Sequence, residues 1–329
     1  MHWLITGGCG FIGTALIGRL LQSTGQAIRV VDNLTTGTRD DLRQVADFSE
    51  SSADAVFGCP RNVELIVGDI LEDKLAVRAA KGCDAIIHLA ADTGVGPSVE
   101  NPRADMLANV LGTFNYLEAA RINRVPRFVF ASSGAPVGEV APPIHEELAP
   151  HPVSPYGASK LAGEGYCSAY KRTFGIETVI LRFGNVYGPG SVHKNSIVAK
   201  FIRQAMNGAL LEIYGDGAQT RDFVYIDDLI DALLLAATKP DIGGEVFQIA
   251  SNSETTVGNI TEQLMGIMKE LGFASIKVVN GNTRAGDVRR NYSDTTKART
   301  SLGWQPKVSL DEGLRETVAY FLNQPRGSL

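Results

Sequence analysis

The sequence predicts an α/β protein, a doubly wound parallel sheet joined to a smaller, discontinuous C-terminal α/β unit. Three observations predict it. Short β-rich runs alternate with helical patterns through the first half, the order that builds parallel βαβ units. Those runs are apolar, as suits strands covered on both faces. Between the first run and the first helix lies a glycine-rich turn, Thr6-Gly7-Gly8-Cys9-Gly10-Phe11-Ile12-Gly13.

The elements follow in order. Trp3 to Thr6 reads as a strand and Phe11 to Gln22 as a helix. Ile28 to Val31 is the second strand. Asp47 to Pro60 is rich in Ser, Ala and acid without periodicity, and reads as a mobile surface insertion. Val63 to Val67 and Ala85 to Leu89 are strands, followed by a helix over Ala104 to Asn123. Phe128 to Ser132 is a strand, Pro155 to Phe174 a helix and Thr178 to Arg182 a strand. After Gly184 the pattern is irregular. Helices are expected at Ile197 to Asn207, Ile226 to Ala237, Val257 to Leu271 and Leu310 to Leu322, and strands at Val246 to Ile249 and Ile276 to Val279. The expected division assigns 1–182 and 221–250 to the sheet domain, and 183–220 and 251–329 to the second.

A chain of 329 residues exceeds what one compact core usually takes, which agrees with two units. Its 44% hydrophobic and 20% charged residues are ordinary for a globular protein. A formal net charge of -5, with no basic patch and no basic amphipathic stretch, argues against nucleic acid or a membrane surface as partner. Cys9, Cys59, Cys83 and Cys167 show no metal-ligand spacing, so no metal is expected. They read as reduced thiols in a cytoplasmic protein. Trp3 opens a strand with no charged leader before it, and no apolar run is long enough to span a bilayer.

Gly7, Gly10 and Gly13 follow a G-x-x-G-x-x-G spacing. Glycine permits a tight turn and lets backbone N–H groups approach a pyrophosphate at the helix N-terminus. Asp32 closes the second strand at the distance expected of a carboxylate on the adenosine ribose. An acid there repels a 2′-phosphate, so NAD is favoured over NADP. Asp69-Ile70 ends the third of the long strands, where a cofactor lies in such sheets, and Asp69 can meet the adenine amine or simply cap a turn. His88-Leu89-Ala90-Ala91 ends the next, and the small Ala90 and Ala91 leave room for the nicotinamide half. His88 itself reads as a packed histidine.

Tyr156 and Lys160 lie one helical turn apart in Ser154-Pro155-Tyr156-Gly157-Ala158-Ser159-Lys160. Such pairs are common by chance. Beside a nicotinamide the pair is a proton-transfer device: the ammonium is expected to bring the phenol's pKa down toward neutrality. Ser132-Ser133 ends a strand on the ligand side of the sheet, and a hydroxyl there can share a proton with Tyr156.

Together these motifs resemble an extended short-chain dehydrogenase/reductase of the nucleotide-sugar epimerase/dehydratase group. The resemblance covers nearly the whole chain, from the glycine loop through Asp32-Asn33-Leu34, Asn109, Ser133, Tyr156/Lys160 and Arg182 to Pro189, to Arg221-Asp222-Phe223 and Arg284 to Asp287. It implies a Rossmann domain and a tightly held NAD, reduced and reoxidised within each turnover. It implies a catalytic triad of Ser133, Tyr156 and Lys160, with Asn109 positioning it. The cofactor set it implies is Gly7, Gly10, Phe11, Ile12, Gly13, Asp32, Asn33, Asp69, Ile70, Leu89, Ala90 and Ala91, with Tyr156 and Lys160. For a UDP-sugar it implies Ser133, Asn185, Asn195, Arg221, Arg284, Asp287 and Asn291. The chemistry suits: guanidinium groups grip phosphates and a carboxylate grips vicinal hydroxyls. Phe183, Gly184 and Val137 depart from the common pattern, the last replacing a Tyr that walls the sugar pocket.

The residues after Ser133 bear on the reaction. Relatives that eliminate water resemble one another in an Asp-Glu pair there, and this chain has Gly134-Ala135. Decarboxylating relatives carry a nearby Glu, and this chain has Pro136. That leaves hydride chemistry alone and favours 4-epimerisation of a UDP-hexose, plain or N-acetylated, through a transient 4-keto sugar. Asn291 resembles the smaller residue that admits an N-acetyl group. A UDP-hexuronic acid stays open, with His193 and Lys194 in reach of a carboxylate. So do a net nucleotide-sugar dehydrogenase or reductase and a non-catalytic NAD-binding scaffold. The small and apolar residues of Ala104 to Asn123 and Pro155 to Phe174 fit the family's homodimer, a four-helix interface, or simply cover the sheet.

Overall fold

The computed structural model describes residues 1–56, 58–273, 276–282 and 288–324. Its centre is an eight-stranded, wholly parallel sheet. Its strands include β1 (His2–Thr6), β2 (Ala27–Asp32), β3 (Ser49–Ser51), β4 (Val63–Val67), β5 (Ala85–His88), β6 (Arg127–Ser133) and β7 (Glu177–Phe183). Three short pairs stand apart from it. β8 (Asn185–Tyr187) pairs with β11 (Phe223–Tyr225), β9 (Leu211–Tyr214) with β14 (Val278–Gly281), and β10 (Thr220–Arg221) with β13 (Thr255–Thr256). The remaining strand, β12 (Val246–Ile249), returns to the large sheet, whose order is β12-β7-β6-β5-β1-β2-β4-β3.

Side chains alternate along each strand, so successive residues serve opposite faces. Trp3 and Ile5 join one buried cluster with Leu16, Ile17 and Leu233. Leu4 joins the other with Leu117, Phe128 and Phe130. Helices cover both faces, which is why the strands read as unbroken apolar runs. Arg29 is a buried polar exception within β2. Its guanidinium bonds Glu64 on the neighbouring strand at 2.9 Å and the Ala79 carbonyl at 2.8 Å.

The segment 47–60 is not wholly irregular. It adds β3 to the sheet edge in parallel register with β4. Three residues of Ser and Glu carry no hydrophobic signal, so only the neighbour's free backbone edge reveals the strand. The expected helix over Ala104 to Asn123 is three pieces: Pro102–Met106, a π-helical segment Leu107–Gly112, and Thr113–Asn123. The helix Pro155–Phe174 forms as expected. Ser154 caps it through Gly157 N at 3.1 Å, Pro155 opens it, and Gly175 closes it in the left-handed conformation. Gly163 lets it press on the sheet, since a Cβ there would lie 2.5 Å from Phe130 Cζ.

Candidate active site

β1 pairs with β2 on one side and β5 on the other, so the chain reverses its direction of sheet growth there. Ligands bind outside the carboxyl ends of strands at such a point. The glycine loop leaves β1 into the helix Phe11–Leu21. Gly7 has φ +70°, and a Cβ on it would lie 2.8 Å from Ala90 N. A Cβ on Gly13 would lie 2.5 Å from Gly7 O. The loop therefore packs as a tight cradle at a helix N-terminus whose first N–H groups have no helical acceptor.

Asp32 closes β2 beneath this cradle and is buried. Its carboxylate accepts from Cys9 N at 2.9 Å and Leu34 N at 2.8 Å. Burial pushes its pKa up, against those two bonds. Asn33 Nδ2 donates to Asp69 Oδ2 at 3.1 Å, which ties the ends of β2 and β4 together. Ile70 lies under Gly112, where a Cβ would meet its Cδ1 at 2.5 Å. Leu89, Ala90 and Ala91 are half-buried at the end of β5, and Ala90 N donates to Thr6 Oγ1 at 3.2 Å. These residues form one continuous edge that fits an extended dinucleotide.

Ser133 ends β6, and Tyr156 and Lys160 face it from the helix Pro155–Phe174. Lys160 is buried, with Nζ donating to Ala131 O at 2.9 Å and lying 6.0 Å from the centre of the Tyr156 ring. The expected pull of Lys160 on the phenol is not what decides its proton affinity. Burial pushes Tyr156 up to about 12, the Ser133 hydroxyl hydrogen bond pulls the other way, and the Asp105 charge adds to the rise. Lys160 is itself driven down to about 8 by burial. A low-dielectric site penalises both charged forms.

Asn109, inside the π-helical segment, joins the elements around the pair. Its Nδ2 donates to Asp92 O at 2.9 Å, Asp105 Oδ1 at 2.9 Å and Ser159 Oγ at 3.1 Å. His88 is packed, as expected. Its Nδ1 meets Thr6 Oγ1 at 2.8 Å, its ring stacks on Phe130, and burial, then Lys160, brings its pKa down to about 3.

The substrate-side expectations divide. A Cβ on Gly134 would lie 3.8 Å from both polar atoms of the Asn291 amide, so Asn291 faces the triad end of β6. Asn185 and Arg221 meet near Asp222, whose carbonyl accepts from Asn185 N at 2.7 Å. Arg221 Nη1 donates to Val288 O at 2.7 Å. Asn195 is exposed, with its side chain bonded to Arg203 at 3.1 Å. Arg284 and Asp287 lie outside the described residues. Val137 is fully buried, so it packs within the fold instead of walling an accessible pocket. His193 and Lys194 turn toward the glycine loop: His193 meets Asp41 at 3.4 Å, and the Lys194 ammonium lies 5.2 Å from the centre of the Phe11 ring.

The sequence reading missed two features. Asp105 stands four residues before Asn109, a helical spacing that predicts contact. Glu164 stands one turn beyond Lys160 and is held by Arg182 at 2.7 and 2.9 Å and by Ser132 Oγ at 2.5 Å. Among the described residues no cluster of His, Cys, Asp and Glu forms a metal site, and no helix is long and apolar enough to cross a membrane.

Residues 3–250 match the model of the NAD dependent epimerase/dehydratase family. The chain belongs to that family. A relative in Methanocaldococcus jannaschii, a putative UDP-glucose 4-epimerase, is 38% identical over 98% of this chain and 99% of its own. The UDP-glucose 4-epimerase of Mycolicibacterium smegmatis is 35% identical over 98% and 99%. The solved UDP-glucose 4-epimerase of Thermotoga maritima, with UDP-glucose, superposes with a TM-score of 0.87 at 36% identity over 98% and 99%. This family member is an NAD-using enzyme. The glycine cradle, Asp32 and the Leu89 to Ala91 edge fit the cofactor.

Proposed function

We propose that the enzyme is a UDP-hexose 4-epimerase, acting on glucose/galactose or their N-acetylated forms with a tightly held NAD. The observation that carries this reading is the triad end of β6. Ser133, Tyr156 and Lys160 converge there, and the amide Asn291, not an acid, faces Gly134. Nothing at 134 or 135 can protonate a leaving hydroxyl, so elimination has no acid in that place.

When bound, NAD supplies the acceptor and donor of the C4 hydride together with a cationic ring. Tyr156 accepts the proton of the sugar 4-hydroxyl, with Ser133 bridging. Lys160 opposes the burial that keeps the phenol neutral. Asn185 and Arg221 hold the diphosphate while the 4-keto sugar turns over, and the family resemblance adds Arg284 on a phosphate and Asp287 on the ribose. Tyr156 then returns the proton to the sugar 4-oxygen. Binding energy in the nucleotide half leaves the ring free to turn. The hexuronate alternative draws no support from His193 and Lys194, which are engaged by Asp41 and Phe11.

The division 1–182 with 221–250, and 183–220 with 251–329, extends this reading to NAD and sugar nucleotide respectively, supported by the return of β12 to the large sheet. A homodimer is supported by Val99, Met106, Leu111, Ile122, Tyr166 and Phe174, large apolar side chains left exposed on the helices beside β5 and β6. A cytoplasmic location is supported by four free cysteines.

The test is incubation with UDP-glucose, UDP-galactose, their N-acetyl forms and the uronic acids, with product stereochemistry read by NMR. The expected result is C4 inversion of a hexose without added NAD, abolished in Tyr156→Phe. A strict need for stoichiometric NAD, or a Tyr156→Phe enzyme of near-normal rate, would overturn the reading.

A further inference from the structure

Asp105 is 1% exposed and lies on the helix Pro102–Met106, against the helix that carries Tyr156 and Lys160. Its Oδ1 accepts from Asn109 Nδ2 at 2.9 Å, while Oδ2 is buried with no hydrogen-bond partner among the described residues. Asn109 also donates to Ser159 Oγ at 3.1 Å, and Ser159 Oγ donates to Tyr156 O at 3.0 Å. The carboxylate is thus fixed to the backbone of the proton-transfer residue through two side chains.

Two carboxylates act on the Lys160 ammonium, Asp105 and Glu164. Glu164 is engaged by the Arg182 guanidinium at 2.7 Å in a pair that is itself buried. Its charge is shared with Arg182, and its pull on Lys160 ranks behind that of Asp105. Among the described residues Asp105 has no salt-bridge partner; burial raises its own pKa, while the Ser159 and Asn109 hydrogen bonds and the Lys160 charge favour its carboxylate. It faces Asp92 from the loop after β5, and Ser159, Lys160 and Tyr156 from the long helix. The other groups around Lys160 and Tyr156 are Ser133 on β6, His88 on β5 and Cys167 on the helix. Of these, burial drives His88 and Cys167 toward their neutral forms, so neither is a counter-charge.

We propose that Asp105 is a positioning residue for proton transfer, the buried counter-charge that keeps Lys160 an ammonium and holds up the proton affinity of Tyr156. The proposal rests on the reading of Tyr156 as proton acceptor. An epimerase must hand back the proton it takes, so a phenol made too acidic by its lysine would hold that proton poorly. A buried amine with no anion nearby gives its proton up. One carboxylate acting on both groups sets these two demands together.

The experiment uses the protein as purified, with Asp105→Asn, Asp105→Glu and Asp105→Ser. Phenolate ultraviolet absorbance is titrated, with Tyr156→Phe subtracted. Asp105→Asn should move the Tyr156 transition to lower pH by about half a unit or more. The pH profile of kcat/KM should move with it. Both limbs shift to lower pH, because loss of one negative charge lowers the pKa of phenol and ammonium alike. Asp105→Glu, which keeps the charge, should leave both limbs in place. Should Asp105→Asn fail to fold, the smaller, uncharged Asp105→Ser reads the same shift. Limbs that stay fixed while the rate falls would make Asp105 merely structural and overturn the proposal, as would a shift to higher pH. Full activity in Tyr156→Phe would instead overturn the underlying reading, and the phenol titration separates the two.

Discussion

Glu164→Gln is the perturbation whose size the structure fixes best. Glu164 and Arg182 are only 6% and 5% exposed, and their contact is bidentate at 2.7 and 2.9 Å. Ser132 Oγ donates a third bond at 2.5 Å. Arg182 Nη1 already lacks a partner among the described residues. Gln keeps one acceptor but no charge, so the guanidinium is left buried and unanswered. Breaking such a pair costs about 3–5 kcal/mol, and the surviving acceptor places the variant at the low end, about 3 kcal/mol. Removing both members with apolar residues avoids the unpaired charge, so Glu164→Leu with Arg182→Met should lose much less. Urea denaturation of the parent, Glu164→Leu, Arg182→Met and their combination closes a double-mutant cycle, with Glu164→Gln measured beside it. A single variant within about 1 kcal/mol of the parent would refute the reasoning, because the pair would then behave as a solvated surface pair. So would a double variant as unstable as the single one.

Three further outcomes are expected. Gly7→Ala places a Cβ at φ +70° and 2.8 Å from Ala90 N. The left-handed backbone and the overlap together cost about 2–5 kcal/mol, and a purified variant that still retains NAD would contradict the cradle. His88 is held down to about 3 by burial, so the unfolded chain binds one more proton below its ordinary value of about 6.5. Stability present above that pH is therefore lost as pH falls, with a slope of about 1.4 kcal/mol per unit from this group. His88→Phe should show the shallower slope in denaturation across that range, and equal slopes would contradict a neutral buried imidazole. Leu111→Glu with Tyr166→Glu puts charge on exposed apolar positions. Light scattering should give twice the chain mass for the parent, as the proposed homodimer requires, and half that for the variant; a dimeric variant would remove that face as the interface.

The sequence was most legible where local chemistry decides structure. Ser154-Pro155 and Gly175 mark the ends of the long helix, because a cap, a fixed φ and a left-handed residue act within one turn. The glycine spacing located the cradle for the same reason. Elements without a hydrophobic signature were not legible. β3 exists because β4 offers it an edge, and the π-helical segment at Asn109 hides inside a helical pattern. Asn195 was legible only as a family position, and its exposed side chain bonded to Arg203 is a tertiary contact that spacing does not report.

By itself the sequence determined the parallel sheet, the tight glycine turn after β1 and the helical spacing that brings Tyr156 and Lys160 together. Spacing and periodicity report neighbours along the chain, and those features are built from such neighbours. The proton affinities at the site were decided by tertiary structure alone. Lys160 and Tyr156 adjoin by spacing, but burial dominates both, leaving one at about 8 and the other at about 12. Burial and the charge of Asp105 come from distant segments folding over the pair. Charges act through space, so Asp105 raises the pKa of Tyr156 from 51 positions away in the sequence.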